Sequence, residues 1–113
     1  MLPESAKFLS DILDAVDWIT KYCSGKTREQ YLSDHELRDA VQWNFLVIGE
    51  ALNQLNKLDP KTAEQIGEWQ RIIGFRNQLI HGYGVIKNEI TWDIIENKIP
   101  ALRADVQKIL NKQ

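Results

Sequence analysis

Cysteine is nearly absent: Cys23 is the only one in 113 residues. An intramolecular disulfide is therefore excluded, and so is a zinc site built from several cysteines. Histidine is scarce too, with only His35 and His81, so a metal set would have to recruit carboxylates at irregular spacings. No apolar run approaches the roughly 18 residues that cross a bilayer. The first residues, MLPESAKFLSD, hold no basic stretch followed by an apolar one. Neither a membrane anchor nor a secretory leader is expected, and a reducing cytoplasm is the expected setting. Excess positive charge is also lacking: 14 basic residues against 16 acidic ones give a net charge of -2. That excludes a protein coated with positive charge but leaves room for a small local anion site. Missing as well are the phosphate-binding G-x-x-x-x-G-K-[ST], the dinucleotide G-x-G-x-x-G, the serine elbow G-x-S-x-G and the zinc pair H-E-x-x-H. Neither a cofactor nor a metal is expected.

What is present is globular: 43% of residues are apolar and 27% charged, a balance that builds one core. One domain over residues 1–113 is expected. The apolar spacing is helical almost throughout. Phe8, Ile12, Val16, Ile19 and Cys23 share one face, with Lys7, Asp11, Asp14, Asp17 and Lys21 opposite. Ser24-Gly25-Lys26 supplies a stop. Thr27 to Gln30 and Ser33 to Glu36 both match the capping box, which predicts a short helix near 27–33 and a long one over about 34–57. The long one carries Leu37, Val41, Phe45, Ile48, Leu52 and Leu55 on a stripe. Asp59-Pro60 is an N-cap with a first-turn proline. It opens a fourth stretch to about residue 81, with an interruption near Gly67 or Gly74. A last helix over about 90–111 has Ile95, Ile99, Leu102, Val106 and Ile109 on one face and a kink expected at Pro100. No period-two alternation is sustained. The expected fold is all-α, an antiparallel bundle of four to five helices. Four tryptophans, at 18, 43, 69 and 92, are a large aromatic load for one small core, and a homodimer would help to cover them.

One stretch stands apart. Residues 70–88, QRIIGFRNQLIHGYGVIKN, hold Arg71, Arg76 and Lys87 and no acid. They concentrate +3 in a chain whose total is -2. The same stretch offers His81 and Tyr83. An arginine fork for phosphate oxygens, an imidazole that moves a proton near neutral pH and a phenolic donor together suit a phosphodiester. Asn77 and His81 are four apart and share a helix face. Arg76 and His81 are five apart, roughly 140° around an ideal helix. They converge only if the helix loosens near its end or the arginine side chain wraps inward.

Arg76-Asn77-Gln78-Leu79-Ile80-His81-Gly82-Tyr83 resembles the R-x4-H-x-Y motif of the HEPN superfamily, and within it the HepT-like ribonuclease toxins. Ile48-Gly49-Glu50-Ala51 resembles the family's I-G-E-A segment in a central helix. Ile94-Ile95 and Ile99-Pro100-Ala101-Leu102 resemble its terminal helix, proline included. The resemblance implies a HEPN-like helical fold and a metal-independent endoribonuclease that cuts RNA and not DNA. It implies a homodimer in which two motifs face a shared cleft. It also implies the toxin of a type II or AMPylation-controlled toxin–antitoxin pair. The antitoxin would be a nucleotidyltransferase of the MntA type, transferring AMP from ATP to Tyr83. Arg76 and His81 are then the expected catalytic pair, with Asn77, Tyr83 and Glu50 binding substrate or supporting them.

Plainer readings stand beside these. His81 alone could be a helix-end histidine bonded to a carbonyl, and Arg76 a structural partner of a carboxylate, Glu50 being the candidate. Asp11, Asp14 and Asp17 read as a solvated face paired with Lys7 and Lys21 rather than a metal site. Cys23 reads as core, the tryptophans as core or dimer contacts, and His35 has no assigned role. The competing function is a non-catalytic HEPN module that partners a nucleotidyltransferase or binds nucleotide or RNA without cutting it.

Overall fold

The computed structural model describes residues 1–82 and 86–112, and among them the chain is helical with no strand. Each helix begins where the local chemistry allows. α1 (Pro3–Cys23) has its proline in the first turn, where a missing N–H leaves no bond unmade. It stops before Gly25, whose φ of 73° only glycine adopts freely. α2 (Arg28–Ser33) starts in the expected capping box: the Gln30 N–H donates to Thr27 Oγ1 at 3.2 Å, and the Thr27 N–H donates to Gln30 Oε1 at 2.8 Å.

The second expected box does not form. Asp34, not Ser33, caps α3 (His35–Leu58), its Oδ1 accepting from the Leu37 N–H at 3.1 Å. Ser33 closes α2 and donates its hydroxyl to the Gln30 carbonyl. A carboxylate one residue later is the stronger acceptor for free N–H groups and suits the positive end of the helix dipole. Asp59 caps α4 (Pro60–Ala63) as expected. Its Oδ2 accepts from the Thr62 hydroxyl at 2.6 Å and from the Ser5 hydroxyl at 3.0 Å, so the same carboxylate ties α1 to α4. These hydrogen bonds, the one from the Thr62 side chain foremost, hold the Asp59 carboxyl below its usual range against the opposing effect of burial.

The remaining chain divides more finely than its periodicity suggests. The stretch expected to run from residue 60 to 81 breaks at 64–68, beside Gly67 and not at Gly74, giving α4 and then α5 (Trp69–His81). Glu68 sits in the left-handed region at φ 58°. It is held there by ion pairs to Arg71 and Lys98, both at 3.2 Å, while the Gly67 N–H donates to Asp105 at 2.9 Å. The expected kinked last helix is two helices, α6 (Asn88–Asn97) and α7 (Ile99–Asn111), parted at Lys98. Pro100 lies in the first turn of α7. There it removes no helix bond, so the chain ends one helix and starts another instead of bending one. Among the described residues seven helices stand where four or five are expected, two of them shorter than two turns.

The core lies where the stripes point. Leu9, Ile12, Val16 and Ile19 of α1 meet Val41, Ile48, Leu52 and Leu55 of α3, all essentially inaccessible, and Val106 and Ile109 of α7 close one side. Cys23 is buried with them, and burial raises its thiol to about 11, which keeps it protonated and unreactive. The tryptophans divide. Only Trp92 is core, tilted against the ring of Tyr31 at 5.4 Å. Trp18 and Trp43 are 48% and 65% exposed. No described helix is long and apolar enough to cross a membrane.

α5 differs from the other long helices. None of its residues is buried, and it packs chiefly on α3. Between it and α6 and α7 lies an apolar cavity of about 270 Å³ lined by Ile72, Phe75, Ile94, Ile99 and Leu102. It is an outboard helix, and it carries the Arg76–His81 segment.

Candidate functional site

The site is built where α5 crosses the middle of α3. Gly49 makes the crossing possible. A Cβ placed on it would collide with Cβ and Cγ of Arg76, so the bare glycine is the surface against which the arginine stem lies. This explains a glycine in mid-helix, where it costs about 1 kcal/mol relative to alanine. The next residue, Glu50, supplies the charge. Its Oε2 accepts from Arg76 Nη2 at 2.6 Å, and its Oε1 accepts from Gln54 Nε2 at 2.9 Å. Arg76 Nη1 donates to Asn77 Oδ1 at 2.8 Å. Two of five guanidinium N–H groups are thus engaged, and Nε is buried with no partner among the described residues. The arginine side chain is 22% exposed and the glutamate 47%. The guanidinium is therefore fixed in orientation and sheltered, yet still reachable from one side.

The sequence candidates are brought together in part. Glu50 and Asn77 both hold Arg76, so Asn77 braces the arginine and not the imidazole. His81 is exposed in the last turn of α5 and has no hydrogen-bond or ion-pair partner among the described residues. The helix does not loosen before it: α5 stays regular through His81 and ends at Gly82, whose N–H donates to the Gln78 carbonyl at 2.7 Å. The roughly 140° that separates Arg76 from His81 on a regular helix therefore persists within one chain. Tyr83, expected to bind substrate and to carry AMP, lies outside the described residues.

An open groove of about 440 Å³ runs beside the arginine, with Trp43, Val47, Glu50 and Gln54 of α3 along one wall. Asp11 and Phe8 of α1 and Ile80 of α5 complete it. Sequence reasoning missed Gln54 and the exposed Trp43, and it cited Gly49 only as part of a family segment. The available signal was the glycine itself, since a glycine inside a strong helical stripe marks a close approach. The acidic face of α1 is only half as expected. Lys7 pairs with Asp11 at 2.9 Å, but Asp17 pairs with Arg103 of α7 at 2.8 Å, leaving Lys21 over the ring of Trp18. A long arginine reaching from a neighbouring helix cannot be read from spacing along one. His35 makes an exposed pair with Asp39 at 3.2 Å. No cluster of three or more metal-ligating side chains exists among the described residues.

Comparisons with known proteins bear on this geometry. A protein of Methanocaldococcus jannaschii named "Putative RNase MJ0127" is 33% identical over 103 residues, covering 91% of this chain and 84% of that one. "Putative RNase TTE0752" of Caldanaerobacter subterraneus subsp. tengcongensis is 30% identical over 106 residues, covering 94% of each. "Probable ribonuclease HepT" of Thermococcus cleftensis is 26% identical over 106 residues, covering 90% of this chain and 92% of that one. No solved structure matches. The family described as ribonuclease HepT-like matches residues 12–109, which span both the Gly49-Glu50 crossing and the Arg76–His81 segment. The chain belongs to the HepT-like ribonuclease family.

Proposed function

We propose that this protein is a metal-independent endoribonuclease that acts as the toxin of a toxin–antitoxin pair, in a single HEPN-like antiparallel bundle. RNA carries its own nucleophile, the 2′-hydroxyl, so the protein need only move protons and stabilise charge. His81 takes the proton of the 2′-hydroxyl or gives one to the leaving 5′-oxygen, a contribution of about 10²- to 10⁴-fold for a positioned acid or base. Arg76 offers its free N–H groups to the phosphorane oxygens as their charge grows. Glu50 and Asn77 hold the guanidinium in place. The observation that carries this reading is the pairing of a fixed arginine, two of its five N–H groups engaged, with an exposed histidine that has no partner among the described residues, on one helix of a HepT-like ribonuclease chain.

The angular spread of those two groups supports a homodimer, in which a second copy brings its own pair to a shared cleft and RNA spans both. Regulation follows from charge. A nucleotidyltransferase antitoxin of the MntA type would place AMP on Tyr83, and a bulky anion beside the site would repel RNA phosphates. The test is cleavage of RNA in EDTA by the wild type, Arg76→Ala and His81→Ala. Loss of cleavage in both variants, with unchanged helix content, is expected. Undiminished cleavage by His81→Ala overturns the mechanism. A wild type that binds RNA without cutting it would favour the non-catalytic module instead.

A further inference from the structure

The apolar cavity beneath α5 is propped open from both ends. Before the start of the helix, Glu68 pairs with Lys98 at 3.2 Å and the Gly67 N–H donates to Asp105 at 2.9 Å. Those two contacts tie the turn at 67–68 to the α6–α7 junction and to α7. Further along, the Arg76 stem rests on Gly49 and its guanidinium bonds Glu50, which fixes α5 on α3. Between these anchors the helices stand apart. The floor is Phe45 and Ile48 of α3, one wall is Ile72 and Phe75 of α5, and the other includes Ile94 of α6 and Leu102 of α7. The Phe75 ring meets Phe45 edge-on at 5.1 Å, so it is not free to swing into the gap. The charged groups of the lining are Glu68, Arg71, Lys98 and Asp105. Two carboxylates and two cations cancel. Both cations share Glu68, and Asp105 serves the Gly67 N–H. The cavity has no lining residue in common with the groove beside Arg76.

We infer that this cavity is a binding site for a small uncharged aromatic molecule. Each part of that class follows from the walls. An apolar cavity of roughly 150 Å³ stays dry and takes up benzene, so 270 Å³ suits a fused two-ring molecule of about ten heavy atoms. A polypeptide segment is too large for it. A rigid ring loses no rotamer freedom on entry and finds the Phe45 and Phe75 rings there. An ion would leave water and meet no surplus counter-charge. Exposed residues on the rim, Arg71 and Ala101, mark the way in. The occupant gives α5, none of whose residues is buried, a second wall to pack on. Because the same helix carries Arg76 and His81, the occupant controls how firmly that pair is held. The inference stands whether or not the chain cuts RNA.

The test is magnetic resonance on the full isotope-labelled chain, with indole as the uncharged ring and indole-3-acetate as its anionic counterpart. Indole should show cross-relaxation between its ring protons and the methyl groups of Ile72, Ile94 and Leu102. It should also slow amide exchange over residues 72–79. Indole-3-acetate should bind about 10-fold more weakly or worse. Ile94→Phe, which fills the space, should weaken indole binding by about 10-fold or more without lowering the melting temperature. Should that variant not fold, the contacts measured on the unmutated chain decide alone. Several results overturn the inference: no contact between indole and those methyl groups, contacts on the exposed Trp18 and Trp43 instead, equal binding of the anion, or unchanged binding by a folded Ile94→Phe. Exchange over 72–79 that stays as fast with indole bound overturns the support given to α5. None of these readouts involves RNA, so their failure leaves the nuclease reading where it stood.

Discussion

α1 and α3 on one side, and α5 on the other, divide the labour of this small protein. The α1–α3 pair, closed by α7, holds most of the inaccessible side chains. α5 holds none, leans chiefly on α3 and leaves an apolar cavity behind it. Yet α5 carries Arg76, Asn77 and His81. The difference teaches that the core and the proposed chemistry lie on separate helices that meet at one crossing, where Gly49 and Glu50 of the buried helix hold Arg76 of the exposed one. A helix that contributes little to the core is free to present polar groups to a substrate.

Substitution should break this comparison unevenly. Leu52→Ala, at a fully buried position of α3, should cost about 2–5 kcal/mol, as such truncations do in packed cores. Leu79→Ala on α5 should cost well under half as much, both read by urea unfolding. Similar losses would mean that α5 is core after all.

The two mid-helix glycines sharpen the contrast. Gly49→Ala drives a methyl into the Arg76 stem and should cost about 1–3 kcal/mol, the range for overpacking, with RNA cleavage falling because the guanidinium is displaced. Gly74→Ala meets open space and should stabilise by about 0.5–1 kcal/mol through the unfolded chain. Thermal melts of both variants decide it, and a stabilising Gly49→Ala would contradict the close crossing. Glu50→Gln should leave the melting temperature nearly unchanged, since the pair is partly exposed, while lowering cleavage by about 10²-fold if the guanidinium loses its placement.

A further modest effect lies far from the site. Asp59→Ala should cost about 1 kcal/mol, the usual value of a carboxylate cap. The folded Asp59 carboxyl titrates below its unfolded value. Its contribution is therefore complete above the unfolded pKa and is lost as pH falls through the folded one. The gap between wild type and Asp59→Ala should close under acid, as unfolding curves at pH 7 and pH 2 will register.

Much of this was legible in the chain. The stripes of α1, α3 and α7 are buried as their spacing requires, and the caps at Thr27 and Asp59 form because each side chain bonds only a few residues away. Glu50 was legible as a partner for Arg76 because a charge inside an apolar run needs one. Local signals failed where two neighbours competed, as Ser33 did with Asp34, and where a proline fits a kink and a helix start equally well, as Pro100 does. They failed again where tertiary contacts decide. Arg103 takes Asp17 from a distant helix, and of the two readings given to the tryptophans, core or dimer contact, core holds for Trp92 and not for the exposed Trp43. The angular spread of Arg76 and His81 was read correctly from helix geometry, but the loosening expected to bring them together does not occur before Gly82.

The most direct trial of the central claim is the chemistry of the cut ends. Attack by the RNA's own 2′-hydroxyl, with His81 moving the proton, requires products ending in a 2′,3′-cyclic phosphate and a 5′-hydroxyl, formed in EDTA and abolished by His81→Ala. Mass spectrometry of a cleaved oligonucleotide should find those ends. Fragments with a 3′-hydroxyl and a 5′-phosphate would mean that water, and not the substrate, is the nucleophile, and would contradict the mechanism.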